Sequence, residues 1–171
     1  LGSDAKTTVH VREDQPLPIK LFEQADPACS TQERQCRRRI SQTQITDAGL
    51  EQLTALTNLT DLDLSENSVI SDVGMSHLSK ITTLTKLNLW RVALSDSGIE
   101  QLAGLVNMQW LNLDNTSLSD DGLVHLQSMK AIEFLHLGST TITDAGLPQL
   151  AGLTTLKDLK VTRTAVTAEG V

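Results

Sequence analysis

Histidines are the residues of this chain that could most readily act as acids, bases or metal ligands: His10, His77, His125 and His136. They are scattered, and no H-E-x-x-H pattern brings two of them onto one face of a helix. The sequence also contains no G-x-S-x-G nucleophile turn and no glycine-rich phosphate loop. We therefore expect a protein that is not an enzyme, with no catalytic residues, no metal and no cofactor.

Aspartates at regular intervals could be mistaken for a row of calcium ligands: Asp47, Asp72, Asp96, Asp120 and Asp144. A calcium loop places its oxygen ligands within about a dozen residues, whereas these aspartates lie 24 or 25 residues apart. Each follows a serine or threonine at the start of a predicted helix. There the hydroxyl can cap free N–H groups, and a carboxylate is favoured by the positive end of the helix dipole. We interpret the row as helix-start residues.

The aspartates belong to a repeated unit, of which residues 143–166 (TDAGLPQLAGLTTLKDLKVTRTAV) are one copy. Its leucines first recur every three residues, as in a short helix, and then follow an L-x-x-L-x-V pattern, as in a strand. The units begin at Thr46, Ser71, Ser95, Ser119, Thr143 and Thr167. A period of this length predicts a solenoid in which each unit packs on its neighbours. The glycine three residues after each start is predicted to allow close approach between neighbouring helical turns.

This arrangement resembles the leucine-rich-repeat family, in the bacterial type with 24-residue units and a T/S-D-x-G-L segment. The resemblance covers about residues 26–171. It implies a right-handed α/β solenoid with a parallel sheet on the concave face and short helices on the convex face.

The resemblance also implies that an Asn or Thr in the turn after each strand bonds backbone groups between successive turns. The matching residues are Thr43, Asn67, Thr116, Thr140 and Thr164. Val92 departs from this pattern. We therefore expect the array to be locally weakest near residues 91–94.

Three segments are predicted along the chain. Residues 1–25 form an N-terminal extension, partly mobile; residues 26–45 form a degenerate capping repeat; and residues 46–171 form five full repeats plus a truncated sixth. Gln35 and Arg38 replace leucines in the capping repeat, which suits the polar outer face of a terminal unit. Because the sixth unit stops early, we expect either a longer natural protein or an edge-to-edge contact with another chain at the uncapped repeat.

Composition and charge restrict the class of partner. Apolar residues make up 39% of the chain but aromatic residues only 2%, so the core must consist of Leu, Ile and Val. No stretch approaches the ~18 apolar residues of a membrane span. Residues 41–171 carry 7 Lys/Arg against 15 Asp/Glu, a net charge of −8. This acidic array argues against nucleic acid and anionic membranes as partners, because both bind cationic surfaces.

Cys29 and Cys36 lie ahead of the full repeats, too few and too isolated to form a zinc site. Two interpretations stay open. The pair forms a short-loop disulfide in an oxidising compartment, or the two thiols stay free and pack as small hydrophobic groups. The pair slightly favours an exported protein, and the compartment is otherwise unknown.

The aromatic residues of the repeats all occupy strand positions that flank the inward leucines: Trp90, Trp110 and Phe134. Side chains at these positions point away from the core. Polar residues surround them on the same face: Arg91, Asn112, Asp114 and His136. Large anchors within a polar rim are typical of the centre of a protein interface. We predict a protein or peptide ligand on the concave face.

Other interpretations account for the same aromatics. They could stack on one another on the sheet, or pack beneath the N-terminal segment. The array could also be a structural scaffold within a larger protein, and carbohydrate binding through the two tryptophans is a weaker third hypothesis.

Overall fold

The computed structural model describes residues 36–41, 43 and 45–170. Six parallel strands form one sheet in sequence order. They are β1 (Cys36–Arg39), β2 (Leu59–Asp63), β3 (Lys86–Asn88), β4 (Trp110–Asn112), β5 (Phe134–His136) and β6 (Asp158–Lys160). The register places the central leucines of β2 to β6 directly beside one another, so the repeats align along the sheet.

Short helices connect the strands on the opposite side of the array. Three are α-helices: α1 (Asp47–Leu53), α2 (Asp72–Leu78) and α3 (Asp96–Gln101). The later connections are 3₁₀ helices: Leu102–Gly104 directly after α3, then Asp121–Ser128 and Leu147–Leu150. The predicted α/β solenoid, with a parallel concave sheet and short convex helices, is therefore confirmed.

The starts of the three α-helices follow the predicted chemistry, whereas the helices Asp121–Ser128 and Leu147–Leu150 begin after Asp120 and Gly146 without a side-chain cap. The side-chain oxygens of Thr46, Ser71 and Ser95 each accept a hydrogen bond from a backbone N–H in the first turn of their helix. Each satisfies one of the donors that a helix start leaves without an internal partner.

A continuous aliphatic core lies between the sheet and the helices. The central strand residues Leu62, Leu87, Leu111 and Leu135 are almost completely buried. No aromatic residue contributes to the core of the described part of the chain. In the last repeat Leu150 and Leu153 are buried, but five other apolar residues are only partly buried: Leu147, Leu156, Leu159, Val161 and Val166. Burial thus decreases towards β6, which pairs only with β5.

The repeated aspartates join successive repeats. The backbone N–H of Ser71 donates to Oδ1 of Asp47 (2.9 Å), and the Ser71 hydroxyl donates to Oδ2 (2.6 Å). The same pair of hydrogen bonds joins Asp72 to Ser95, Asp96 to Ser119, Asp120 to Thr143, and Asp144 to Thr167. The sequence interpretation of these aspartates as helix-start residues missed this second role, in which each carboxylate binds the start of the next unit.

The glycine of each next unit makes room for that carboxylate. A Cβ atom on Gly122 would lie 2.2 Å from Oδ1 of Asp96 and 2.5 Å from Cδ1 of Leu118. Equivalent short distances to the preceding aspartate occur at Gly74, Gly98, Gly146 and Gly170. The predicted close approach is confirmed. We call the aspartate, the next unit's Ser or Thr, and that unit's glycine the aspartate bracket.

The turn residues after the strands correct one expectation. Asn67 does bridge two repeats, because its Nδ2 donates to the carbonyl of Ile40 (2.6 Å) and its Oδ1 accepts from the N–H of Thr43 (2.8 Å). Thr116 and Thr140 instead donate to carbonyls of their own turn, three residues earlier. The expectation of bonds between turns is wrong for these threonines, because a hydroxyl on Cβ is shorter than the Asn amide and reaches only its own turn.

Val92 is buried in the corresponding position and has no hydroxyl to donate. The backbone turn is nevertheless closed there, since the N–H of Val92 donates to the carbonyl of Leu89 (3.1 Å). Local weakness at residues 91–94 stays a prediction.

Candidate functional site

The concave face carries the seven residues singled out in the sequence, and the first cluster on it is an aromatic stack. Trp110 and Phe134 are paired neighbours on β4 and β5. Their rings are nearly parallel, at an angle of 5°, with centroids 5.0 Å apart. The imidazole of His136 meets Phe134 edge to face at 6.4 Å. We call these three residues the aromatic stack; all three are half-buried, so the predicted exposure is only partial.

Trp90 and Arg91 form a separate pair. The guanidinium carbon of Arg91 lies 5.3 Å from the centre of the Trp90 ring, within cation–π range. Arg91 also forms an ion pair with Glu66, with 3.4 Å between Nη1 and Oε2. Its backbone is left-handed, with φ of 57°. That conformation recurs after every strand from β2 onwards, at Glu66, Arg91, Asn115, Ser139 and Arg163, and is therefore a property of the repeat.

Asn112 has a structural role in addition to its place in the predicted rim. Its Oδ1 accepts the backbone N–H of Asp114 at 2.9 Å. Asp63 and Asn88 bond the residues two positions later in the same way. These side chains therefore shape the turn after the strand, and only the amide nitrogen of Asn112 is left for a ligand.

Asp114 differs from the sequence expectation most clearly. It was expected in an exposed polar rim, but it is buried, with only 6% of its surface exposed. Its Oδ2 lies 3.7 Å from Nη2 of Arg163, too far for a hydrogen bond. Its Oδ1 has no hydrogen-bond partner among the residues that the structure describes. This oxygen faces the neighbouring rung, 3.0 Å from the position that a Cβ atom on Gly138 would occupy.

Gly138 lies beside the predicted site residues, although the sequence did not single it out. It occupies the strand-end column that elsewhere reads Ser65, Trp90, Asp114 and Thr162. A Cβ atom at Gly138 would lie 2.9 Å from both Nε2 of His136 and Oγ1 of Thr162, and 3.0 Å from Oδ1 of Asp114. Neighbouring side chains therefore close over Gly138, and a larger residue there would collide with them. The available signal was that Gly138 is the one glycine in its column.

The remaining sequence predictions concern metals, membranes and the N-terminal region. Within the described residues, no group of three His, Cys, Asp or Glu side chains is placed to hold a metal ion. No helix in that same part of the chain is long and apolar enough to cross a membrane. The possible Cys29–Cys36 disulfide, left open against free thiols, lies outside the described side chains, and the edge-to-edge contact stays a prediction.

Comparison with known proteins agrees with the observed architecture. The family model described as Leucine Rich repeat matches residues 55–79. Among solved structures, an internalin C2 from Listeria monocytogenes is similar, with a TM-score of 0.58 and 24% sequence identity. The alignment covers 77% of this chain and 63% of that one, so this chain spans less than two thirds of the internalin's length. No curated protein matches the chain in sequence. At this identity the likeness establishes the fold.

Proposed function

Because the chain is a leucine-rich-repeat protein, we propose that it is a non-catalytic module that binds a protein or peptide segment on its concave face. The observation that carries this proposal is the distribution of aromatic side chains. Trp90, Trp110 and Phe134 all lie half-exposed on the sheet face, although the core of the described residues contains no aromatic side chain. Large rings left partly exposed at one face are a source of binding energy that the fold itself does not use.

The geometry of the aromatic stack supports this role. Trp110 and Phe134 hold each other in a parallel arrangement, so their rings lose little conformational freedom when a ligand covers them. The Asn112 amide and the ring nitrogens of His136 lie on the same strands and can fix a ligand's orientation. The acidic balance of the array favours a segment that carries positive charge.

The test is a peptide selection on the folded protein. A phage-displayed library of random peptides is selected on the parent chain, and the enriched peptides are measured against Trp110→Ala. We expect their affinity to fall by at least about tenfold, as for an interface anchor. The far-UV circular dichroism should be unchanged, and the free energy of unfolding should fall by only about 1 kcal/mol from the lost stacking.

Val124→Ala is the matched control, because it removes an exposed hydrophobic side chain from the convex side. It should leave peptide affinity unchanged. Peptides that bind Trp110→Ala and Phe134→Leu as tightly as the parent chain would overturn the proposal. That outcome would favour a structural scaffold whose partner contacts lie elsewhere.

A further inference from the structure

The outer edge of β6 carries backbone groups that the preceding strand uses for pairing. At the β5 rung, the carbonyl of Glu133 accepts from the N–H of Lys157 (2.8 Å). The N–H of Leu137 in turn donates to the carbonyl of Lys160 (2.7 Å). β6 repeats the β5 pattern one rung later, so the carbonyl of Lys157 and the N–H of Val161 point away from β5. Among the described strands, β6 pairs only with β5.

The aliphatic core is incompletely covered at the same edge. Leu159 at the centre of β6 is only partly buried, whereas its counterpart Leu135 on β5 is completely buried. Leu156 and Val161 beside it are also only partly buried. An unpaired strand edge next to partly exposed apolar side chains is a template for the addition of another strand.

The convex side does not provide for another unit of this array. Every earlier unit start supplies the carboxylate of an aspartate bracket, as Asp144 does for Thr167. In the unit that begins at Thr167, the corresponding position is Ala168. A further unit stacked there would have no acceptor for its first N–H and hydroxyl. This substitution favours an occupant that pairs with the strand edge and needs no bracket.

The charged side chains of β6 are complementary to a second copy of the same strand. Asp158 and Lys160 flank Leu159, and their half-exposed side chains lie 3.1 Å apart. A second β6 that runs antiparallel, centred on Leu159, would place Asp158 opposite the partner's Lys160 and Lys160 opposite the partner's Asp158. Opposite charges directly across two strands are favourable, whereas like charges are unfavourable.

The backbone permits this register. Leu159 alternates with Asp158 and Lys160, so its N–H and carbonyl point outward together with the outer groups of Lys157 and Val161. In the two-fold arrangement, Leu159 would exchange both bonds with the partner's Leu159, and Val161 would donate to the partner's Lys157. A slip of two residues would keep outward groups paired, but it would set aspartate opposite aspartate or lysine opposite lysine.

We propose that the edge of β6 is an interface with a second copy of this chain, which pairs antiparallel through its own β6. The two-fold axis is perpendicular to the sheet, so the concave faces of both copies lie on one side and form a continuous surface. The same patch serves both copies, as in any two-fold interface. The leucines at its centre cover the open end of each core. This inference does not depend on the proposed function.

The experiment is sedimentation velocity of the 171-residue chain over about 1–300 µM, where we expect a reversible equilibrium of monomer and dimer. Lys160→Asp and Asp158→Lys each set like charges opposite one another at two positions. Each should weaken dimerisation by at least about tenfold, with unchanged far-UV circular dichroism. Lys80→Asp is the matched control, because it makes the same change of charge at an exposed position in the turn after α2. It should dimerise like the parent chain.

Mixing the two charge variants tests the register. In an equimolar mixture, the two lysines of Asp158→Lys face the two aspartates of Lys160→Asp, so a heterodimer should form with about the affinity of the parent chain. The double variant Asp158→Lys/Lys160→Asp should also dimerise, because its exchanged charges are again opposite. Failure of the mixture or of the double variant to recover the dimer would overturn the proposed pairing.

Hydrogen exchange locates the contact. The amides of Leu159 and Val161 should become more protected as the protein concentration rises, whereas those of β3 should not change. A chain that stays monomeric throughout the concentration range would overturn the proposal and leave the edge to a segment of a longer protein or to another protein. Dimers that persist in both single charge variants would assign self-association to a different surface, which also overturns it.

Discussion

The two faces of the array use the repeat in opposite ways. On the convex side, all five aspartate brackets between Asp47 and Thr167 make the same pair of hydrogen bonds. On the concave side, one column of aligned strand positions changes at every rung: Asp61, Lys86, Trp110, Phe134 and Asp158. The first set holds one repeat to the next, whereas the second gives each rung of the concave face a different side chain.

The difference follows from the way a solenoid is stabilised. Each repeat contacts only its neighbours, so every interface needs its own side-chain bonds and the residues that make them recur. Concave side chains have no such constraint. Even there, a stabilising bond recurs at Asp63, Asn88 and Asn112. At the next rung His136 takes the place of the Asp or Asn, and this bond from the backbone two residues later does not recur among the described contacts. Loss of a repeated stabilising feature at one rung indicates a position retained for another purpose.

The largest effect should come from filling the space of one bracket. Gly122→Ala would place Cβ against the Asp96 carboxylate, so we expect a loss of about 2–3 kcal/mol from the free energy of unfolding. The melting temperature should fall by roughly 5–10 °C. Gly104→Ala is the matched control, because nothing lies within 4 Å of its added Cβ. Equal melting temperatures for the two variants would show that the bracket can accommodate a Cβ atom at Gly122.

The next effect should come from removing a bracket carboxylate. Asp96→Ala takes away the acceptor for both the N–H and the hydroxyl of Ser119, and we expect a loss of about 2 kcal/mol. Asp121→Ala removes an exposed carboxylate from the neighbouring turn and should cost less than about 0.5 kcal/mol. Chemical denaturation of both variants measures the difference. A larger loss in Asp121→Ala would mean that helix dipoles, and not the brackets, dominate the convex side.

The architecture could be predicted because it depends on spacing alone. Leucine periodicity places Leu111 and Leu135 in the core, and the serine or threonine before the aspartate marks the start of the three α-helices, although not of the later 3₁₀ helices. The brackets were not predicted, because Asp96 and Ser119 become partners only when successive turns stack. Spacing shows that both positions recur. It does not show which atoms meet across the stack.

The candidate site was less predictable than the fold. Alternation along a strand correctly placed Trp110 and Phe134 together on the concave face. It could not show that Asp114 is buried, because burial also depends on how side chains of neighbouring repeats are arranged around a position. Alternation specifies which side of the sheet a residue faces. It does not specify which neighbouring side chains cover that residue.

The smallest effect concerns the last bracket, which is the most exposed. Hydrogen bonds from the N–H and then the hydroxyl of Thr167 hold the pKa of Asp144 below its ordinary value of 3.8. A carboxyl group whose pKa is lower in the folded protein stabilises the fold above its unfolded pKa. That stability is lost as the pH falls through the folded pKa. We therefore expect the parent chain to melt slightly above Asp144→Asn near neutral pH, by a few degrees at most, and the two curves to converge in acid.

Asp158→Asn provides the concave-face control for this comparison, since its carboxylate pairs only with the nearby Lys160 among the contacts described. Melting curves of the three chains between neutral pH and about pH 3 separate the two faces. A difference in melting temperature between the parent chain and Asp144→Asn that stays constant with pH would show that the bracket depends on the geometry of the carboxylate and not on its charge. Convergence in acid would show that the negative charge of Asp144 helps to hold the repeats together on the convex side.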